Sequence, residues 1–360
     1  MAVCLFAFAL FANAENIIRV STDQTDLVFR VADNGRLYQN YLGCHLNQES
    51  DLKHLPDGTE AYLTHGMEDY FEPALDVRHT DFNPSTLLKY ERHEQRKAGD
   101  GATETVIWLN DPVYGTQVAM HYVAYTKENI IKAWTEITNT EKKSVSLVKY
   151  ASAMLHLTGG KYFLSEFSGN WADEAHITTT PLSFGKKVID TKLGTRANLF
   201  TPPMFILSLG APATEDSGQV LLGQLGWTGN FRFTFEMDEK DNLRVISGIN
   251  PYFSEYELKA NETFRTPDFF FTLSQEGLSR ASRDFHDWAR KYQLKDGSED
   301  RLTLLNNWEA TYFDFNQDKL VGLMDDAVRL GVDMFLLDDG WFGNKYPRHS
   351  DTQGLGDWEE

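Results

Sequence analysis

The sequence predicts a multidomain β plus α/β fold, in which a large antiparallel β-sandwich is followed by a short α/β segment. From about residue 15 to residue 275, alternating and β-branched apolar runs are separated by Gly, Asn and Pro turns. After residue 300 the pattern changes to strand, helix and strand. The chain of 360 residues is long enough for two domains, each with a core of its own.

The composition narrows the classes of partner. A formal net charge of −19 repels phosphate backbones, so we expect neither nucleic acid nor an anionic membrane surface as a partner. A neutral substrate fits this charge best. Aromatic residues make up 13% of the chain, which suits aromatic-rich β cores and also the stacking surfaces of sugar-binding proteins.

Residues 1–14, MAVCLFAFALFANA, are predicted to be a signal peptide. The apolar run ends in an A-x-A cleavage pattern, which predicts export to the periplasm or outside the cell. No Lys or Arg precedes the run, so a buried first strand and a start codon misassigned inside a longer leader stay open. Without cleavage the protein would be cytoplasmic.

Cleavage would leave Cys44 as the single cysteine, which excludes an internal disulfide and a cysteine-based metal site. No later apolar run approaches the roughly 18 residues of a membrane span.

Residues 15–277 are predicted to form the β-sandwich. Asp33-Asn34-Gly35 separates two apolar runs, 26–32 and 36–42, and predicts a hairpin. The segment 55–84 has few periodic apolar residues but many polar and aromatic ones, so it is predicted to be a long loop that is functional or covers a sheet edge. Further strands are predicted at residues 105–109, 117–126, 129–139, 144–157, 205–209, 219–227, 230–237, 242–249 and 263–273.

Residues 278–300 are predicted to be a linker helix that ends in a polar stretch. One helical face would carry Ala281, Phe285, Trp288, Ala289 and Tyr292. We therefore expect this helix to pack between the β domain and the residues that follow.

Residues 301–360 contain a β-α-β pattern. Apolar strands are predicted at residues 302–306 and 332–337, with a helix that starts after Asn316 and ends before Gly331. The crossover should be right-handed and the strands parallel, so both strands end at the same edge of the sheet. If they are neighbours, they lie roughly 5 Å apart.

Acidic and aromatic residues follow both strand ends. Trp308 comes after the first strand, and Asp338 and Asp339 come directly after the second. Carboxylates accept hydrogen bonds from sugar hydroxyls, and an indole covers the apolar face of a sugar ring, so the sequence predicts a sugar pocket. A polar loop follows, and we expect the substrate rim to include Trp341, Asp357 and Trp358.

The acidic pair has three other interpretations. The first makes Asp338 and Asp339 the catalytic acid and nucleophile of a retaining glycosidase. Adjacent residues fit these roles poorly, because the two carboxyl groups must lie about 5 Å apart across the bond. A Mg²⁺ or Ca²⁺ site with Asp333 or Asp357 is the second, although Asp333 begins its strand and so lies at the opposite edge. A solvated acidic turn is the third. We favour the binding role and expect no metal.

Three motifs in this order carry a family resemblance. They are NWEATYFD at residues 307–314, LDDGWFG at 337–343 and LGDW at 355–358. With them the chain resembles glycoside hydrolase family 36, the microbial α-galactosidases. Weaker similarity at EPAL, 72–75, and in the hairpin at 35–37 extends the resemblance over nearly the whole chain after residue 15.

The resemblance implies an N-terminal β-supersandwich, a (β/α)8 TIM barrel that starts within residues 301–360, and a small C-terminal β domain. It implies retaining hydrolysis of terminal α-galactose, as in melibiose and raffinose, without a metal or cofactor. In this reading Asp338 and Asp339 hold the galactose hydroxyls and Trp308 walls the pocket.

The family's nucleophile and acid/base are aspartates on later barrel strands, and no position up to 360 matches either. We therefore expect the sequence to be an N-terminal fragment without hydrolase activity of its own. The family also implies a homo-oligomer, with tetramers among its members, in which a β-domain loop reaches a neighbour's site. That implication makes Tyr62 and Asp69 candidates for a substrate rim in trans.

Two alternative functions stay open. The first is an α-N-acetylgalactosaminidase or a galactosyl-transferring relative. The second, from another class, is a non-catalytic galactose-binding protein. The gene beyond residue 360 would separate them, because two further strand-end aspartates favour a hydrolase and their absence favours the binding module.

Overall fold

The computed structural model describes residues 17–67, 70–196 and 200–359. They form two compact units, one that ends at Gln293 and one that begins at Leu294. The predicted signal peptide lies outside the described residues. None of the helices in the described part of the chain is long and apolar enough to cross a membrane.

The strands of the first unit are β1 (Ile17–Ser21), β2 (Thr25–Val31), β3 (Leu37–Cys44), β4 (Thr59–Glu60), β5 (Leu75–Arg78), β6 (Lys89–Lys97), β7 (Ala102–Asn110), β8 (Thr116–Tyr125), β9 (Ile130–Asn139), β10 (Val145–Leu157), β11 (Tyr162–Asn170), β12 (Asp173–Pro181), β13 (Gly185–Asp190), β14 (Met204–Leu209), β15 (Gln219–Gly226), β16 (Phe231–Met237), β17 (Leu243–Ile249), β18 (Tyr256–Leu258), β19 (Thr263–Arg265) and β20 (Asp268–Ser274). The unit also contains the helices α1 (Glu49–Leu52) and α2 (Gly277–Trp288), a 3-10 turn at Gly194–Arg196 and a π-helical turn at Ala289–Gln293.

Three antiparallel sheets make up this unit. Their strand orders are β1-β2-β3-β4, then β13-β16-β17-β10-β18 with β5 also on β10, and β12-β11-β14-β15-β20-β9-β8-β7-β6 with β19 also on β9. One apolar core takes side chains from all three, among them Phe29, Leu155 and Phe205. The predicted antiparallel β-sandwich is therefore confirmed.

The predicted hairpin pairs β2 with β3, and Gly35 has the positive φ of +78° that its turn requires. The strand predicted at 263–273 is divided into β19 and β20. Pro267 lies between them and has no N–H to donate to the ladder.

Helix α2 lies on the ten-stranded sheet. Its apolar residues Phe285 and Trp288 pack with Val220 and Ile130. The buried Asp284 accepts hydrogen bonds from Asn129 Nδ2 at 3.0 Å and Thr272 Oγ1 at 2.8 Å, and it pairs with Arg280. Burial raises the pKa of the Asp284 carboxyl group. This polar contact fixes the helix to strands of the β unit.

The second unit is a β-α-β unit with one short additional helix. It consists of β21 (Leu304–Asn306), α3 (Trp308–Thr311), α4 (Gln317–Leu330) and β22 (Met334–Leu336). Strands β21 and β22 pair in parallel, as predicted. Asn316 accepts a hydrogen bond from the Lys319 backbone N–H at the start of α4, and Gly331 ends that helix with a φ of +74°.

The apolar run before Asp338 predicts a strand buried on both faces, as in a parallel sheet. The described residues do not show this burial, because Met334 is 41% exposed and Leu336 is 44% exposed. The described sheet has two strands, and α4 covers it incompletely, with Ala327 as its one buried side chain.

Candidate functional site

The parallel register brings the ends of β21 and β22 together. Asn306 lies opposite Leu336, so the residues that follow each strand leave the sheet at one edge. Asp333 lies at the other end of β22, where its carboxylate accepts from the backbone N–H and the hydroxyl of Thr303. The prediction that Asp333 is remote from the acidic pair is confirmed.

Asn306 at the end of β21 and Asn307 directly after it hold Asp338. Asn306 Nδ2 donates to Asp338 Oδ2 at 2.6 Å, and the Asp338 backbone N–H donates to Asn307 Oδ1 at 2.8 Å. Asn307 is fully buried and also donates to Thr311 Oγ1. The Asp339 backbone N–H donates to Asp338 Oδ1 at 2.7 Å. Each carboxylate oxygen of Asp338 thus has one protein donor, which fixes its orientation and leaves lone pairs for a ligand.

Asp339 is held by an arginine instead. Arg348 Nε donates to Asp339 Oδ1 at 2.9 Å and Nη2 donates to Oδ2 at 2.6 Å, a bidentate ion pair. The Asp339 side chain keeps 28% of its surface exposed. The hydrogen bonds from Arg348 lower the pKa of Asp339 below its ordinary value, so this carboxyl group is ionised at neutral pH.

The turn after the acidic pair needs a glycine. Gly340 has a φ of +96°, and a Cβ there would lie 3.2 Å from side-chain atoms of Phe313 and Phe315. The turn Asp338-Asp339-Gly340 packs against the aromatic residues that follow α3.

Trp308 is linked to the acidic pair through one side chain. Its backbone N–H donates to Asn306 Oδ1 at 2.7 Å, while the other end of that amide donates to Asp338. The indole is half-buried, with edge contacts to the rings of Tyr312 and Phe313 at centroid distances of 5.3 and 4.9 Å. Trp308, Asp338 and Asp339 are therefore brought to one edge of the sheet, as predicted.

The three predicted rim residues differ in role. Trp341 is 44% exposed and Trp358 is 61% exposed, and both contact the buried ring of Phe342. Asp357 Oδ2 accepts from the backbone N–H groups of Lys345 and Tyr346, both at 2.7 Å. Asp357 thus closes its own loop, whereas the two tryptophans keep exposed surface.

The prediction that Tyr62 lies at a substrate rim is wrong. Its side chain is 1% exposed within the β core, and its hydroxyl donates to the Ala151 carbonyl oxygen at 2.7 Å. The segment 61–63 supplies core side chains rather than a rim, because aromatic and apolar residues there pack between sheets. Asp69, the other candidate on this segment, lies outside the described residues.

Sequence reasoning missed Arg348 and the role of the asparagines. Asn306 ends a strand and Asn307 follows it, and that position was a usable signal for a role at the rim. Arg348 lies nine residues after its partner in a polar loop, and no periodicity or turn signal points to it.

Asp339 already has a cation on both oxygens, which leaves the pair poorly suited to a divalent ion. In the described ranges no three His, Cys, Asp or Glu side chains are grouped to hold a metal.

Two family descriptions match the chain in succession. The Glycosyl hydrolase family 36 N-terminal domain matches residues 34–259, and Melibiase matches residues 263–360. The chain belongs to glycosyl hydrolase family 36. The predicted resemblance is thereby confirmed.

Relatives in this family are α-galactosidases. Alpha-galactosidase 1 of Pediococcus pentosaceus is 29% identical over 96% of this chain and 52% of its own length. Alpha-galactosidase AgaA of Geobacillus stearothermophilus is 32% identical over 83% of this chain and 42% of its own length. The chain thus spans about half the length of the curated relatives it matches.

Solved structures of the family have the same fold. The crystal structure of AgaA matches with a TM-score of 0.88 at 26% identity, over 95% of this chain and 52% of that one. A variant of AgaA in complex with raffinose matches with a TM-score of 0.87 at 26% identity, again over 95% and 52%. The α-galactosidase of Lactobacillus brevis matches with a TM-score of 0.87 at 28% identity, over 96% and 51%.

Proposed function

We propose that this chain is part of a retaining α-galactosidase that hydrolyses terminal α-galactose from oligosaccharides of the melibiose and raffinose type. One observation carries the proposal: two carboxylates, each oriented by hydrogen bonds from its own chain, lie beside Trp308 at the end of parallel strands. Relatives named α-galactosidases, one of them solved with raffinose, support the choice of sugar.

In this proposal the acidic pair binds substrate and does not break the bond. An ionised Asp339 has no proton to give to a leaving group, because its pKa is lowered. Its free lone pairs, and those of Asp338, accept hydrogen bonds from galactose hydroxyls. Trp308 covers an apolar face of the ring, and Trp341 and Trp358 contact the rest of the oligosaccharide. We place the nucleophile and the acid/base outside residues 1–360.

We further propose that the β-α-β unit is the beginning of a (β/α)8 barrel. The parallel pair β21 and β22, with α4 between them, supports this, and so does the position of the acidic pair after a strand. Export through cleavage of residues 1–14 and assembly into a homo-oligomer are also proposals. Fractionation of the native host and analytical ultracentrifugation would test them.

The experiment is a substrate panel on the product of the complete gene. We expect turnover of nitrophenyl α-galactoside and raffinose, with the α-anomer of galactose as the first product. A preference for nitrophenyl α-N-acetylgalactosaminide would favour the alternative specificity. Galactose binding without turnover of any glycoside would favour the binding protein. A chain of residues 1–360 alone should give no turnover, and detectable hydrolysis by it would contradict the binding role of the acidic pair.

A further inference from the structure

The N–H groups of Arg348 reach two parts of the second unit. Nε and Nη2 donate to the carboxylate of Asp339. Nη1 donates to the carbonyl oxygens of Ser350 at 3.0 Å, Asp351 at 2.9 Å and Gln353 at 2.7 Å. The side chain is 6% exposed. One guanidinium therefore connects the acidic pair to the backbone of the loop that follows it.

Aromatic rings surround this guanidinium. Its central carbon lies 5.5 Å from the ring centroid of Phe313 and 5.4 Å from that of Phe342. Phe342 in turn contacts the rim residues Trp341 and Trp358. Arg348 thus lies between the acidic pair and the aromatic rim, within reach of cation–π attraction from both rings.

The loop over residues 343–359 closes on itself around Arg348. Asp357 accepts two backbone N–H groups, and the Gly343 backbone N–H donates to the carbonyl oxygen of Glu359 at 3.0 Å. A Cβ at Gly354 would lie 2.6 Å from the Tyr346 carbonyl oxygen. The loop has few apolar contacts of its own, so its fold depends on these hydrogen bonds.

We propose that Arg348 is a positioning residue of the galactose site, which orders the Asp339 carboxylate and the rim loop as one unit. This inference rests on the proposed function for its ligand, but the ordering of the loop stands on the contacts above. Arg348 also compensates one of the two adjacent negative charges. The site is thereby suited to a neutral sugar that donates hydroxyl hydrogen bonds, and less suited to a cation.

Lysine cannot replace arginine in this role. An ammonium group carries three N–H donors on one atom, whereas Arg348 donates from three nitrogens to two carboxylate oxygens and three carbonyl oxygens. If only the positive charge matters, Arg348→Lys should behave like the wild-type protein. If the planar guanidinium with its three donor nitrogens matters, Arg348→Lys and Arg348→Gln should both lose the ordering of the loop.

The first measurement is amide hydrogen exchange in the unliganded chain of 360 residues. We expect exchange in residues 343–359 to be about 10-fold faster or more in both Arg348 variants, with α2 and the β unit unchanged. Arg329→Gln is the matched control, because Arg329 is a 74% exposed arginine on α4 whose ion pair is with Asp326. Unchanged exchange in Arg348→Gln, or full restoration by Arg348→Lys, would overturn the proposal.

The second measurement is raffinose kinetics with the product of the complete gene. We expect KM to rise roughly 10- to 100-fold in both Arg348 variants, with a smaller change in kcat. A KM equal to that of wild type in Arg348→Gln would overturn the role at the sugar site. If the wild-type product has no galactosidase activity, the proposed function fails, and hydrogen exchange still decides whether Arg348 orders the loop.

Discussion

Arg348 donates to both carboxylate oxygens of Asp339, at 2.9 and 2.6 Å, and only 6% of the arginine side chain is exposed. A carboxylate in such a pair is charged and fixed in orientation, two properties that suit hydrogen bonding to a sugar. With its pKa lowered by Arg348, Asp339 has no proton to donate near neutral pH, so the pair argues against a general-acid role for this residue.

The pair predicts how Asp339 titrates. Arg348 lowers the pKa of Asp339, so its midpoint in a ¹³C NMR titration should fall below the ordinary aspartate value of about 3.9. A carboxyl pKa that is lower in the folded state stabilises the protein above the unfolded value, and that stabilisation is lost as the pH falls through the folded value. Arg348→Gln should move the midpoint upward. A midpoint at or above the ordinary value in the wild-type chain would contradict the ion pair.

Asp338→Asn should weaken galactoside binding, and its amide nitrogen would also face a protein donor, either Asn306 Nδ2 or the Asp339 backbone N–H, where a carboxylate oxygen now accepts. An amide at this position retains one acceptor and loses the negative charge, and hydrogen bonds to charged groups are worth about 1.5–3 kcal/mol. We expect KM for raffinose in the complete gene product to rise about 10- to 100-fold.

Asp333→Asn is the matched control for that variant. Asp333 belongs to the same β-α-β unit and also accepts two hydrogen bonds, but it lies at the opposite end of β22. Its KM should equal that of wild type. Equal losses in both variants would show that the effect comes from the unit's stability and not from the sugar site.

Local patterns predicted the parts of the fold that depend on neighbouring residues. Asn34-Gly35 specified a hairpin because glycine adopts the positive φ of its turn, and Asn316 and Gly331 specified the ends of α4 for similar reasons. The β-α-β topology then placed Trp308 with Asp338 and Asp339, because parallel strands end at one edge.

The missed features carry little pattern in their own stretch of sequence. Strands β6 and β12 are the two edges of the ten-stranded sheet, and their side chains are largely exposed and polar, so they carry no alternating pattern. Tyr62 lies in a segment without periodicity, yet it is buried because strands far along the chain surround it. The role of Arg348 also could not be predicted from the sequence, because its contacts form only when the loop closes.

Tyr62→Phe tests the assignment of that residue to the core. The variant removes a buried hydroxyl that donates to Ala151, and it should lower the free energy of unfolding by about 1 kcal/mol. Kinetics on raffinose should be unchanged. Tyr70→Phe is the control, because Tyr70 is fully exposed on the same segment and should alter neither property. A raised KM in Tyr62→Phe with unchanged stability would restore its role at the rim.

His156 predicts a dependence of stability on pH in the β unit. Burial, with the nearby charge of Arg244, lowers the pKa of His156 to about 4, so the folded protein keeps this imidazole neutral. Between the ordinary value of about 6.5 and 4, the unfolded chain binds a proton that the folded chain does not. The contribution to stability is therefore complete above about pH 6.5 and is lost as the pH falls toward 4, by about 3 kcal/mol in all.

His156→Gln should remove this part of the pH dependence when denaturant unfolding is followed from pH 7 to pH 4.5. The side chain is 6% exposed, and Gln39 contacts its backbone only, so a neutral side chain of similar size leaves those hydrogen bonds in place. His176→Gln is the control, because His176 is 61% exposed on the edge strand β12 and pairs with Asp173. We expect its unfolding free energy to follow the wild-type curve. If His156→Gln also follows that curve, the histidine is not held neutral by burial, and the acid sensitivity of the β unit has another source.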